Sequence, residues 1–184
     1  MPLHTDTLRT ARLDLLPLRV EHAEEMAAVL ADPELHTFTG GAPGTPESLR
    51  SRHERLVAGS PDPAVLWCNW VLRLREAEDG GDGGNGGNGG GDGGRLVGTV
   101  QATVTAGTAE VAWVVGTRWQ GRGFAGEAAR ELVARLGEEP GVRTVVAHVH
   151  PDHRASAAVA AAAGLTPTGI LHEGEVRWQR SVRA

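Results

Sequence analysis

Apolar and polar positions alternate or recur at helical spacing along most of the chain, and the two periods predict a succession of strands and helices. Leu13-Asp14-Leu15-Leu16-Pro17-Leu18-Arg19 reads as a short, partly buried strand. Glu21 to Ala31 then reads as a helix, with Ala23, Met26, Ala27 and Leu30 on one face. Asp32-Pro33 ends it, because the residue before a proline is pushed out of the helical region. Thr37 to Pro46, rich in Gly and Pro, is a loop, and Thr45-Pro46 suits the start of a second helix over Glu47 to Ala58 with Leu49, His53, Leu56 and Val57 at helical spacing.

From Val65 to Leu74 the apolar series Leu66, Cys68, Trp70, Leu72, Leu74 alternates with Trp67, Asn69, Val71 and Arg73, the period of a strand. Strands follow at Leu96 to Val104 and Ala109 to Val115, so the three form an antiparallel meander. A helix over Ala125 to Leu136 carries Ala128, Ala129, Leu132, Val133 and Leu136 on one face and ends at Gly137. Val142 to Val149, Val-rich with few polar interruptions, is a strand buried on both faces. A last helix over Arg154 to Ala163 stops at Gly164, and strands at Leu165 to Leu171 and Glu175 to Val182 close the series. The expected fold class is α/β (α+β): one domain over residues 1–184, a mixed, mostly antiparallel sheet of about six to seven strands, and four helices.

Composition changes this picture in four places. The tract from Asp79 to Gly94 is almost wholly Gly, Asp and Asn, so it has nothing to bury and reads as a flexible loop between two strands. Asp82 and Asp92 within it lack the ligand spacing of a calcium loop, and no metal is expected. The formal charge of -5 speaks against a nucleic-acid surface and suits a cationic amine. No apolar run approaches the ~20 residues that span a bilayer, and Met1-Pro2-Leu3-His4 opens no signal-peptide pattern, so a cytoplasmic protein without membrane contact is expected. The single Cys68 has no Cys-His partner motif and reads as a buried structural thiol.

The candidate chemistry lies between the strand Ala109 to Val115 and the helix that follows. In Gly116-Thr117-Arg118-Trp119-Gln120-Gly121-Arg122-Gly123-Phe124-Ala125-Gly126, glycines free the backbone to turn N–H groups toward an anion at a helix N-terminus. Gly121-Arg122-Gly123-Phe124-Ala125-Gly126 also spells G-x-G-x-x-G. A dinucleotide-binding fold, however, places that fingerprint directly after the first strand of a parallel sheet, whereas here Thr117-Arg118-Trp119-Gln120 intervenes after a meander. A structural turn, a dinucleotide site and an acyl-donor site remain the three readings of the residues themselves.

Gln120, Gly123 and Ala125 fill the pattern Gln/Arg-x-x-Gly-x-Gly/Ala. With Thr108 to Val115 before it and His150-Pro151-Asp152-His153-Arg154-Ala155-Ser156 after it, the chain resembles the GNAT superfamily of N-acetyltransferases, in particular its RimJ/RimL-like branch. The resemblance covers nearly the whole chain outside the Gly tract. His153 stands where that branch has Asn, and Leu165 where it has an aromatic residue.

The resemblance implies a GNAT-like domain with a central β-bulge near Val114-Val115-Gly116, and direct transfer of an acetyl group from acetyl-CoA to a primary amine of a small molecule or protein N-terminus. It implies that Trp113, Val114 and Val115 bind the thioester and pantetheine. Gln120, Gly121, Arg122, Gly123, Phe124, Ala125 and Gly126 would wrap the pyrophosphate, and His153 would touch the coenzyme. Glu110 is implied as general base and Ser156 as donor to the departing thiolate; Phe38 and Trp70 would line the amine pocket. Many relatives use a Tyr as general acid, and this chain has none. The acceptor stays open among a protein N-terminus, an antibiotic amine, a polyamine and an amino acid, as does a longer acyl donor. A non-catalytic acyl-CoA sensor is the alternative to an enzyme, and the state is monomer or homodimer.

Overall fold

The computed structural model describes residues 5–75 and 94–182. The loop expected over residues 79–94, with Asp82 and Asp92, lies outside them apart from Gly94.

Alternation produces the sheet. It comprises β1 (Leu8–Arg9), β2 (Leu13–Pro17), β3 (Val65–Leu74), β4 (Leu96–Thr105), β5 (Thr108–Val115), β6 (Thr144–Val149), β7 (Thr166–His172) and β8 (Glu175–Ser181). Helices α1 (Ala23–Val29), α2 (Pro46–Ala58), α3 (Phe124–Glu138) and α4 (Arg154–Ala162) make up the rest, with short 3₁₀ turns at Val20–His22, Pro33–His36 and Thr117–Trp119. The sheet therefore has eight strands in the order β1-β2-β3-β4-β5-β6-β8-β7, one or two more than the pattern predicted. The addition is β1, whose two residues are too short to show a period and which exists by pairing Leu8 with Leu15 and Arg9 with Asp14.

Every neighbouring pair is antiparallel except β5 and β6, which α3 connects in parallel. The core is contributed by the fully buried Leu13, Leu15, Trp70, Leu72, Val97 and Val100 of the sheet and by Leu132, Val133 and Leu136 of α3. Each such aliphatic side chain contributes roughly 1.5–3 kcal/mol on burial. Cys68 belongs to this core, and desolvation pushes its thiol up to about 11, with Glu139 adding to the effect. It stays a protonated, unreactive packing group.

Local chemistry sets the helix boundaries. Thr45 Oγ1 accepts from the Ser48 N–H at 3.2 Å, with Pro46 in the first turn of α2. Gly137 does not stop α3, which runs on to Glu138. Leu136 is wholly buried, Arg135 pairs with Glu139 one turn on, and packing overrides the weak helix preference of one glycine, about 1 kcal/mol.

The strand irregularity also lies elsewhere than expected. Pairing of β4 with β5 runs unbroken from Thr105↔Thr108 to Gly98↔Val115, so there is no register shift near Val114. One shift falls between Leu72 and Arg73, where β4 fits Val97 as an extra residue opposite β3, and another between Pro167 and Leu171 of β7. The break near Val114 takes a different form: β5 and β6 pair only at Thr108↔Thr144, Ala109↔Val145 and Glu110↔Val146, then part.

Gly98 permits this arrangement. A Cβ there would lie 2.2 Å from the Val114 carbonyl oxygen and 3.0 Å from Val115 Cα. Gly98→Ala is expected to push β5 off β4 at the level of Val114 and to destabilise by about 1–3 kcal/mol, the usual cost of overpacking. Thermal unfolding checks this, and an unchanged midpoint would contradict it.

Candidate functional site

A cavity of about 960 Å³ occupies the gap that opens where β5 and β6 part. That is at the upper end of the ~300–1,000 Å³ range of small-molecule sites. One wall is β5 from Val111 to Val115, the opposite wall is Ala147 to His150, and one end is closed by the loop entering α3. Beyond Glu110, β5 pairs with β4 alone, so its β6-facing edge presents backbone polar groups to the cavity.

The loop end leaves backbone donors unpaired. Gly121 has φ 74° and Gly123 φ 82°, the left-handed region that glycine enters without strain. Gly123 caps α3 with no side-chain acceptor, and the first N–H of the helix bonded to a capping carbonyl is that of Glu127, to Gly123 at 3.0 Å. The N–H groups of Phe124, Ala125 and Gly126 are therefore free of intrahelical partners, at the positive end of a 15-residue helix dipole. All three residues, with Gly121 and Gly123, line the cavity.

Side chains brace this loop from behind. Gln120 Nε2 donates to the Val115 carbonyl at 3.0 Å, which ties the loop to the end of β5 and gives the Gln120 side chain a scaffolding task. Arg12 donates from Nη1 to the Arg122 carbonyl at 2.8 Å and from Nε to Glu127 at 2.7 Å, and its guanidinium lies 4.6 Å from the centre of the Phe124 ring. Glu127 also accepts from the Thr10 hydroxyl at 2.6 Å and the Arg12 N–H at 2.8 Å. Partial desolvation pushes the Glu127 carboxyl up, but these hydrogen bonds and the Arg12 charge outweigh it and hold the group below its ordinary value. Arg122 itself is exposed and not part of the cavity wall.

At the far wall, His153 caps α4 by accepting the Ser156 N–H on Nδ1 at 3.3 Å, and Phe38 stacks on its ring at 4.3 Å. Burial, with the nearby His150, lowers the His153 pKa and keeps the ring neutral, as this acceptor role requires. Ser156 and Phe38 both line the cavity, and among the described residues the Ser156 hydroxyl has no hydrogen-bond partner. Trp70 lines it too but is 1% exposed, with Nε1 donating to the Asp6 carbonyl at 2.9 Å, so it is a fixed apolar wall. Leu18, Leu30, Leu35 and Leu56 make this region apolar, while Asn69 and Gln101 add amides.

Glu110 sits at the last position of β5 that pairs with β6, exposed and off the cavity wall. Its Oε1 lies 3.1 Å from Nδ1 of His148, which does line the cavity. The structure thus brings Val114, Val115, Gly121, Gly123, Phe124, Ala125, Gly126, His153 and Ser156 to one cavity, with Trp113 and Gln120, and leaves Glu110 and Arg122 outside its wall. Sequence reasoning missed His148, although a histidine inside Val145-Val146-Ala147-His148-Val149 is a polar break in an apolar run. It also missed the Arg12–Glu127 brace, which joins residues 115 apart and leaves no local signal.

Comparison with known proteins agrees with this fold. Residues 12–166 match the family described as Acetyltransferase (GNAT) domain. The FsC-acetyl coenzyme A-N(2)-transacetylase of Aspergillus fumigatus is 30% identical over 187 residues, covering 94% of this chain and 74% of that protein. Among solved structures, a GNAT-family acetyltransferase of Bacillus anthracis superposes with TM-score 0.73 at 17% identity, covering 96% of this chain and 99% of that one. RimL, the ribosomal L7/L12 alpha-N-protein acetyltransferase in complex with coenzyme A, superposes with TM-score 0.71 at 12% identity, covering 96% and 98%. These last two similarities establish the fold.

The Glu127 brace carries a pH prediction. A carboxyl whose folded pKa lies below its ordinary 4.5 adds stability that is present above pH 4.5 and lost as pH falls through the folded value. Urea unfolding at a series of pH values is expected to show Glu127→Gln less stable than the unaltered protein at pH 6, with the difference shrinking as pH drops below the ordinary value. A constant difference across that range would contradict it.

Proposed function

The chain belongs to the GNAT acetyltransferase family, and from that premise we propose that it transfers an acetyl group from acetyl-CoA directly to a primary amine. The observation that carries this reading is the coincidence, in one cavity, of an uncapped helix N-terminus with an unpaired strand edge beside it. A pyrophosphate suits the first, and the amides of a pantetheine arm suit the second.

The donor set fits that group. The N–H groups of Phe124, Ala125 and Gly126, presented by the turns at Gly121 and Gly123, would hold the pyrophosphate. The exposed Arg122 adds positive charge at the cavity's edge. The β5 edge at Trp113, Val114 and Val115 would hold the pantetheine amides and donate to the carbonyl oxygen of the thioester. Acetyl-CoA, when bound, supplies that thioester as the acyl donor. His153 shapes the wall beside it through its stack on Phe38.

Ser156 is the proposed donor to the departing sulfur, since its hydroxyl lines the cavity unengaged and the chain has no Tyr. Phe38 and Trp70 are the proposed walls of the amine pocket, whose apolar leucines suit an amine on a partly apolar carrier. The relatives named above act on an N(2) amine and on a protein α-amine, and the His150-Pro151 to Ser156 segment supports the RimJ/RimL-like branch.

Three measurements test this. At 100 times its Kd, acetyl-CoA is expected to stabilise the protein by about 2.7 kcal/mol in thermal unfolding, with NAD⁺ giving no shift. The reverse would favour dinucleotide binding. Transfer to at least one of an N-terminally free peptide, putrescine, an aminoglycoside or a free amino acid is then expected by CoA release, whereas binding without transfer to any would favour a sensor. Ser156→Ala is expected to lower kcat by less than the ~100-fold at the low end of acid-base catalysis, because a thiol of pKa ~8.5 leaves with little help. A larger loss would give Ser156 a full general-acid role.

A further inference from the structure

Glu110↔Val146 is the last pair before β5 and β6 part, so His148 stands two residues further along β6, on the wall of the opened gap. Partners in a parallel ladder share a face, and so do residues two apart on a strand. His148 therefore points to the same side of the sheet as Glu110, which is why the two side chains meet. The Glu110 side chain is 57% exposed and off the cavity wall, and that of His148 is 13% exposed and on it. Of the two side chains, His148 is the one on the cavity wall.

The hydrogen bonding fixes which nitrogen is available. A carboxylate accepts, so the 3.1 Å contact puts the proton on Nδ1 and leaves Nε2 as the basic nitrogen. Among the described residues Nε2 has no protein partner and is not sealed from solvent. His172 of β7 packs against the ring with centroids 4.9 Å apart. Arg177 is the register partner of His148 on β8, and Glu175, His150 and His153 are titratable groups that line the same cavity.

Resting on the acetyl-transfer reading, we infer that His148 Nε2 is the general base that takes the proton from the acceptor ammonium, and that Glu110 is the positioning residue that holds its tautomer. One ammonium proton passes to Nε2. The freed amine forms the N–C bond to the thioester carbonyl, the C–S bond breaks with its electron pair going to sulfur, and a second nitrogen proton goes to that sulfur to give the CoA thiol. His148 then returns its proton to solvent, for a net yield of amide, thiol and one proton.

The test uses the full chain, acetyl-CoA and whichever amine of the panel above is turned over. His148→Gln is expected to lower kcat/KM for the amine by roughly 10²–10⁴-fold, the range of general-base catalysis, with KM for acetyl-CoA unchanged and the acid limb of the pH profile lost. Glu110→Gln is expected to cost roughly 10–100-fold while keeping an acid limb. Independently of turnover, imidazole nitrogen NMR is expected to show His148 protonated on Nδ1 in the unaltered protein, with that preference lost in Glu110→Gln. Full activity with an intact acid limb in a folded His148→Gln variant would overturn the inference, as would a proton resident on Nε2. If the unaltered protein acetylates no amine, the functional reading fails, while the tautomer still decides whether Glu110 positions His148.

Discussion

Everything at the site depends on the parting of β5 from β6 after Glu110↔Val146. Strand edges are normally paired or covered, because buried backbone groups without partners cost about 1–3 kcal/mol each. Here the edge is held open from both sides. Continuous pairing with β4 fixes β5, and β8 pairs with β6 along its whole length from Thr144 to Val149. α3, which connects β5 to β6 in the chain, packs its buried stripe on the sheet and brings its N-terminus to the gap's end. The gap is thus a place where the fold leaves backbone hydrogen-bonding capacity unused.

The support for that opening is distributed. Gly98 lets β4 approach the Val114 carbonyl, Gln120 ties the loop to Val115, and Arg12 with Glu127 anchors the loop to the β1–β2 corner. The anion site is therefore set by contacts to three separate parts of the chain. Its own residues, Gly121 to Gly126, contribute mainly backbone, which is why small side chains predominate there.

Much of this was legible in the sequence. The strands β3 to β5 and the helix α3 announced themselves by period, and Gly121-Arg122-Gly123 before a helix announced an anion site. What could not be read was set by long-range contact. β1 has two residues and no period, Gly137 is carried through α3 by burial of its neighbours, and the expected bulge near Val114 is a parting of strands instead. Glu110 was picked out by position along its strand, but its separation from the cavity by His148 follows from the β5–β6 register, which no local pattern encodes.

In the proposed function the uncapped start of α3 and the free edge of β5 together hold the acyl donor. Amide NMR during titration with acetyl-CoA reads both at once. The largest shifts are expected at Gly121 to Gly126, from the pyrophosphate, together with Trp113 to Val115, from the pantetheine arm. Shifts concentrated elsewhere, or confined to the loop with β5 unmoved, would contradict it.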